Sequence, residues 1–180
     1  MIKRISDFPQ IEEIYRQYMR RDFARNELRP LSSLRKSWDA GEYECYGLYD
    51  EGELHGYAFF VKLGYRYMLD YLAVVKEYRD SGFGSTFLRE LPDMDCVIVE
   101  VEDPEKAKNE DDQLQRERRM QFYLRNGFRE TGVKSCVFGV DYAILERGSK
   151  SNEGQIREFY STIYRKLLPA PFFQLNFKLT

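Results

Sequence analysis

The stretch YMLDYLAVVKEYRDSGFGSTFLREL, residues 67–91, decides the fold. Its first part, Tyr67 to Val75, is rich in aromatic and branched residues and predicts a strand. Its last part, from about Phe83 to Leu91, sets Phe83, Phe87, Leu88 and Leu91 on one face and predicts a helix. Between them lies Arg79-Asp80-Ser81-Gly82-Phe83-Gly84, with the spacing Q/R-x-x-G-x-G/A. A strand that feeds a glycine turn and a helix start leaves unspent N–H groups at the positive end of the helix dipole. That is an anion site, with phosphate as the usual guest. Gly82 and Gly84 carry no Cβ, so a pyrophosphate can come close to the main chain. Arg79 brings a permanent charge, and Ser81 and Ser85 bring hydroxyls. No Gly-Lys-Ser/Thr follows, so this is not a Walker loop. The third glycine of G-x-G-x-x-G is also absent. Taken alone, the turn reads equally as a ligand site or as a tight structural turn.

Two blocks carry a resemblance. LAVVKEYRDSGFGSTFL, residues 72–88, resembles the acetyl-CoA-binding motif of the GNAT superfamily of acyl-CoA-dependent N-acyltransferases. FYLRNGF, residues 122–128, resembles that family's downstream helix-turn motif, in the right order and at a fitting separation. The likeness extends to about Leu145. One residue departs from it: Asp80 stands where the family most often has glycine. The resemblance implies an α+β fold of three layers, with a mixed, mostly antiparallel central sheet and helices on both faces, to which the sequence beyond the family pattern adds an extra C-terminal helix. It implies acetyl-CoA as cosubstrate. Pantetheine would pair with the main chain of Leu72, Ala73 and Val74, and the pyrophosphate would lie on the N–H groups from Ser81 to Ser85. Arg79, Asp80, Gly82, Phe83 and Gly84 complete that set. Tyr123 takes the place of the tyrosine that protonates the departing thiolate in many such enzymes. Glu100 matches the glutamate that some members use as general base. Asp70, on the central strand with its side chain on the same face as Met68 and Leu72, is the rival base.

Around this core, 180 residues make one domain the default and suffice for a sizeable core. A net charge of −2 gives no broad attraction to nucleic acid or to an anionic membrane. No apolar run approaches about 18 residues and no signal-peptide core is visible, so no membrane span is expected. Cys45, Cys96 and Cys136 are odd in number and lack metal spacing. They read as reduced residues of a cytosolic protein. His55 is the only histidine and reads as structural, so no metal site is expected.

In chain order, Asp7 caps a first helix that runs to about Phe23. A second helix covers Leu31 to Ala40, with Ser32 or Ser33 as cap and Trp38 either lining the acceptor site or packing. Tyr43 to Tyr49 and Leu54 to Leu63 form a hairpin, and the central strand follows. Cys96 to Glu102, CVIVEVE, is the next strand, with Glu100 and Glu102 among valines. The charged run Asp103 to Asp112 reads as a loop. A helix covers Gln113 to Asn126 and carries Arg116, Arg118, Arg119 and Arg125. Phe128 to Gly132 and Ser135 to Glu146 should pair as a hairpin across Gly132-Val133-Lys134. Residues 1–147 thus form the GNAT-like domain. Residues 148–180 form a C-terminal extension, with an amphipathic helix on Ile156, Phe159, Tyr160, Ile163, Tyr164, Leu167 and Leu168. The extension packs on its own domain, covers the acceptor cleft, or makes a homodimer contact. FFQLNFKLT, at its end, has the pattern of an edge strand.

The function expected is acetyl transfer from acetyl-CoA to a primary amine of a small molecule or a protein. Asp70, Glu100, Glu102 and Asp103 point to a cationic acceptor. Two other readings stand beside it: a non-catalytic acyl-CoA-binding module, and a binder of a different phosphate ligand.

Overall fold

The structure is a computed structural model of the whole chain, and it describes residues 1–25, 27–92, 94 and 96–180. Two compact units divide the chain, Met1–Asp93 and Met94–Thr180. The class is α+β, as expected, and every ladder within each unit is antiparallel.

The first unit is a meander. Strands β1 (Ile2–Arg4), β2 (Tyr43–Asp50), β3 (Glu53–Leu63) and β4 (Arg66–Val74) pair in sequence. Helix α1 (Phe8–Ile14) starts at Asp7, whose carboxylate accepts from the Gln10 N–H at 3.0 Å. It continues through a π turn, Tyr15–Met19, into α2 (Arg20–Asp22). Helix α3 (Leu31–Asp39) begins after Pro30 with no side-chain cap, so neither Ser32 nor Ser33 has the expected capping role. A 3₁₀ turn, Lys76–Tyr78, leads from β4 toward α4 (Phe83–Glu90). Tyr57, Phe59, Phe60, Met68 and Leu34 are fully buried in this unit.

A bulge alters β4 at the point that matters most. Phe59 opposes Tyr71, but Phe60 opposes Leu69, so Asp70 is the extra residue. Met68 therefore opposes Val61 while Leu72 opposes Ala58, and these two partners lie on opposite faces of β3. The expectation that Asp70 shares a face with both Met68 and Leu72 is corrected. Asp70 accepts from Tyr43, the residue opposite Val61, and so lies with Met68.

The second unit orders its strands β5 (Cys96–Glu102), β7 (Val140–Gly148), β6 (Arg129–Val137) and β8 (Phe177–Leu179). The β6–β7 turn is at Phe138-Gly139, not at Gly132. Phe138 and Gly139 have φ of 50° and 81°, the pair of left-handed residues that a two-residue hairpin turn needs. Gly132, with φ of 79°, instead serves a break in register between Glu130 and Lys134. The run after β5 is also shorter as a loop than expected. Asn109 accepts from the Asp112 N–H and starts α5 (Glu110–Arg125), with Glu110, Asp111 and Asp112 on the positive end of its dipole. Helix α6 (Glu153–Leu167) opens with a capping box of Asn152 and Gln155. Helix α7 (Ala170–Asn176) takes the first part of the presumed edge strand, and only Phe177–Leu179 pairs, with β6.

Candidate functional site

The glycine turn is built as its residues require. Asp80 has φ of 64° and Gly82 φ of 78°. The left-handed conformation suits glycine, and aspartate tolerates it better than most residues. This explains how Asp80 replaces a glycine without breaking the turn. The Ser85 and Thr86 N–H groups both donate to the Gly82 carbonyl at 3.1 Å, which closes the first turn of α4. Among the described residues, the N–H groups of Ser81, Gly82, Phe83 and Gly84 donate no main-chain bond. Ser81 and Gly82 are exposed, and Phe83 and Gly84 partly so. Four accessible donors thus converge at the N-terminus of an eight-residue helix. The Ser85 N–H, counted in the expected cradle, is spent inside the helix.

Arg79 braces this turn from below. Its Nε donates to the Val74 carbonyl at 3.1 Å and its Nη2 to Asp22 Oδ1 at 2.8 Å. Asp22 is nearly buried and also accepts from the Tyr57 hydroxyl at 2.8 Å. The Arg79 charge is therefore balanced within the protein. His55 is buried, stacks on Tyr78 with ring centroids 3.6 Å apart, and meets Phe83 edge-on. Its role as a structural residue is specific: it supports both shoulders of the turn. Gly56, next to it, is required by close approach, because a Cβ there would stand 2.9 Å from the Ala73 carbonyl. Leu72, Ala73 and Val74 are half-buried, whereas Met68, Leu69 and Tyr71 before them are buried. A cleft of about 520 Å³ reaches Val75 and Tyr78, but Glu13, Glu53 and Glu77 line it against Arg21, an acidic balance among the described residues that disfavours phosphate there.

Asp70 is engaged. Arg29 and the Tyr43 hydroxyl both donate to its Oδ2. Burial works against the Arg29 charge, but Asp70, with Tyr43 and Tyr71, outweighs it and holds the guanidinium charged. Tyr43, buried and beside Asp70, has its phenol pushed well above the ordinary range.

In the second unit, Glu100 lies half-buried on β5, opposite Ile144. Its Oε1 accepts from the Tyr160 hydroxyl and from the Tyr164 hydroxyl, the latter at 2.6 Å. Tyr123 stands on α5, outside that set. Its ring packs edge-on against Phe122 and Phe128, with centroids 5.2 and 5.3 Å apart. Among the described residues its hydroxyl has no hydrogen-bond partner. Burial pushes the Tyr123 phenol up to about 12, against a small opposing pull from Arg119. It holds its proton at neutral pH.

The remaining acids are paired too. Glu102 meets Arg119 at 2.6 Å and Arg116 at 3.7 Å. Asp103 accepts from Lys134 at 2.8 Å and from the Glu105 N–H at 3.0 Å. Asp70, Glu102 and Asp103 thus each have an internal cation, whereas the Tyr160 and Tyr164 donors on Glu100 are neutral phenols. Sequence reasoning missed Arg29, Asp22, Tyr43, Tyr160 and Tyr164 as partners of the candidate residues. For the last two a signal existed: two phenols at i and i+4 on the apolar face of a helix must find acceptors when buried.

No group of three or more His, Cys, Asp or Glu able to hold a metal occurs among the described residues. No described helix is long and apolar enough to cross a membrane.

Residues 41–130 match the model of the acetyltransferase (GNAT) domain, which covers the glycine turn, Glu100 and Tyr123. No curated protein matches the chain. Several solved structures share its fold. A protein of Bacteroides thetaiotaomicron assigned to the GNAT acetyltransferase family is 20% identical, with a TM-score of 0.72 over 91% of this chain and 96% of that one. The ribosomal-protein-S18-alanine N-acetyltransferase of Escherichia coli is 18% identical, with a TM-score of 0.60 over 85% and 97%. A GNAT acetyltransferase of Elizabethkingia anophelis with acetyl-CoA bound is 13% identical, with a TM-score of 0.50 over 66% and 82%.

Proposed function

The chain belongs to the GNAT acetyltransferase family, and from that premise we propose that it moves the acetyl group of acetyl-CoA to a primary amine of a small molecule or a protein. The observation that carries this reading is the glycine turn, where four unspent N–H groups meet at the start of α4 inside the matched segment. The acetyl-CoA bound to the Elizabethkingia relative supports the choice of coenzyme.

In this reading the turn from Ser81 to Gly84 takes the pyrophosphate, and Leu72, Ala73 and Val74 take pantetheine. Arg79 acts from behind, by holding the turn to Val74 and Asp22. The amine nitrogen attacks the thioester carbonyl, the C–N bond forms and the C–S bond breaks. Glu100 takes the ammonium proton before attack, directly or through a water, Tyr123 gives its proton to the leaving thiolate, and the proton that the nitrogen then loses as the amide forms restores the phenol. The protonated Tyr123 phenol, without a hydrogen-bond partner among the described residues, suits that donor role. Asp70, already held by Arg29 and Tyr43, is the poorer base. Asp70, Glu102 and Asp103 are held by internal cations, so Glu100 is the acid of this set assigned to meet the amine.

Calorimetric titration with acetyl-CoA, against ATP and NAD, tests the coenzyme. Thiol release in the presence of spermidine, kanamycin, free alanine and an alanyl peptide tests the transfer. Selective binding with amine-dependent thiol release is the expected result. Binding without release from any amine marks a non-catalytic acyl-CoA module. Equal binding of all three nucleotides returns the turn to a general phosphate site.

A further inference from the structure

Beyond the matched segment, the second unit carries a hydrogen-bonded chain that ends on Glu100. Tyr160 is fully buried and its hydroxyl lies 2.9 Å from Ser135 Oγ. A phenol has one proton, and that of Tyr160 goes to Glu100. Ser135 must therefore donate to Tyr160, and the chain has a direction: Ser135 to Tyr160 to Glu100. Tyr164, half-buried one turn later on α6, donates to the same oxygen from the other end. Burial, then Glu100, raises the Tyr160 phenol well above its ordinary range, so it stays a donor.

Packing alone does not require these hydroxyls. The two rings meet edge-on at 5.1 Å, and both lie on Phe177, at 5.2 and 4.9 Å. Phe177 in turn stacks on Phe173. Phenylalanine at 160 and 164 would keep all of these ring contacts. What the hydroxyls add is two donors on one carboxylate oxygen, which fix the plane of the group. The helix that brings them is itself anchored: by its capping box, by Arg157 donating to the Thr180 carbonyl at 3.0 Å, and by the β6–β8 pairing.

We infer that α6 is part of the acid–base apparatus, with Tyr164 and Tyr160 as positioning residues that orient Glu100 toward the acceptor amine. This rests on the reading of Glu100 as base. On that basis the C-terminal extension, residues 148–180, is required for turnover and not only for stability.

The test is a double-mutant cycle on the full chain. Thiol release is followed with acetyl-CoA and whichever amine of the panel above is turned over fastest. The variants are Tyr160→Phe, Tyr164→Phe, Glu100→Gln and Tyr164→Phe with Glu100→Gln. Glu100→Gln should lower kcat by about 10²-fold. Tyr164→Phe should lower kcat roughly tenfold, the scale of one hydrogen bond to a charged group, with KM for acetyl-CoA and Tm little changed. The double variant should be no slower than Glu100→Gln alone, because the phenol acts through the carboxylate. If Tyr160→Phe fails to fold, the half-buried Tyr164 carries the cycle alone. Normal kcat in Tyr164→Phe beside an impaired Glu100→Gln would overturn the inference and leave Glu100 as base. So would two effects that simply multiply. Normal kcat in Glu100→Gln would overturn both.

Discussion

The Tyr164 hydroxyl donates to Glu100 Oε1 at 2.6 Å, joining residues 64 positions apart in the chain. A strand acid inside the family segment is thus held by a helix outside it. In the proposed reaction this gives a carboxylate whose orientation is set before any substrate arrives, as proton transfer in a fixed geometry demands.

Glu100 itself is tested by pH. If it takes the amine proton, kcat/KM falls on the acid side as the carboxylate is protonated. Glu100→Gln should remove that limb and lower the plateau by about 10²-fold. A surviving acidic limb places the base elsewhere, and Asp70→Asn is then the next variant.

Tyr123→Phe should lower kcat by about 10²-fold with acetyl-CoA binding unchanged, since only the hydroxyl is lost. The phenol is raised to about 12, so it stays protonated through mildly alkaline pH. No alkaline loss of kcat from Tyr123 is therefore expected between pH 7 and 10, taken as roughly two units short of that value. Unchanged kcat in the variant removes Tyr123 from the acid role.

Asp80→Gly probes the departure in the glycine turn. The φ of 64° at this position is one that glycine adopts freely, so Tm should hold. Removing a carboxylate near the pyrophosphate should tighten acetyl-CoA by about fivefold, the value of roughly 1 kcal/mol for one unit charge at close range in high dielectric. The gain should shrink with added salt, measured by calorimetry. An unchanged Kd shows that Asp80 points away from the coenzyme.

Gly82→Ala should do the opposite. No atom lies within 4 Å of a Cβ there, so the cost is conformational, at φ of 78°. About 1–2 kcal/mol is expected, read as a Tm lowered by several degrees. KM for acetyl-CoA should rise more than tenfold as the four N–H groups lose their common direction. A wild-type KM would remove the turn from coenzyme binding.

Acid stability follows from Asp103. Burial opposes its charge, but the bonds from Lys134 and the Glu105 N–H win, and its carboxyl lies below the ordinary 3.8. A lowered folded value means stability that is present above 3.8 and lost as pH falls through the folded value. Lys134→Met should lower Tm at pH 7 by the equivalent of about 1–3 kcal/mol and shift acid unfolding to higher pH. A Tm equal to wild type at pH 7 shows the pair to be neutral for stability.

What the sequence determined is what local chemistry controls. The Asp7 cap, the β5 bounds Cys96–Glu102 and the strand–turn–helix around Gly82 depend on residues a few positions apart, and they stand where the pattern put them. The family, too, was legible in two short blocks. Only tertiary structure decided the state of the charges and the direction of Asp70. A one-residue bulge reverses a face without any mark in the alternation of residues. Arg29, Asp22, Arg119 and Lys134 reach their carboxylates through space, and Tyr160 and Tyr164 reach Glu100 from a separate helix. A carboxylate's chemistry depends on which donors surround it, and no spacing in the chain specifies partners brought together only by folding.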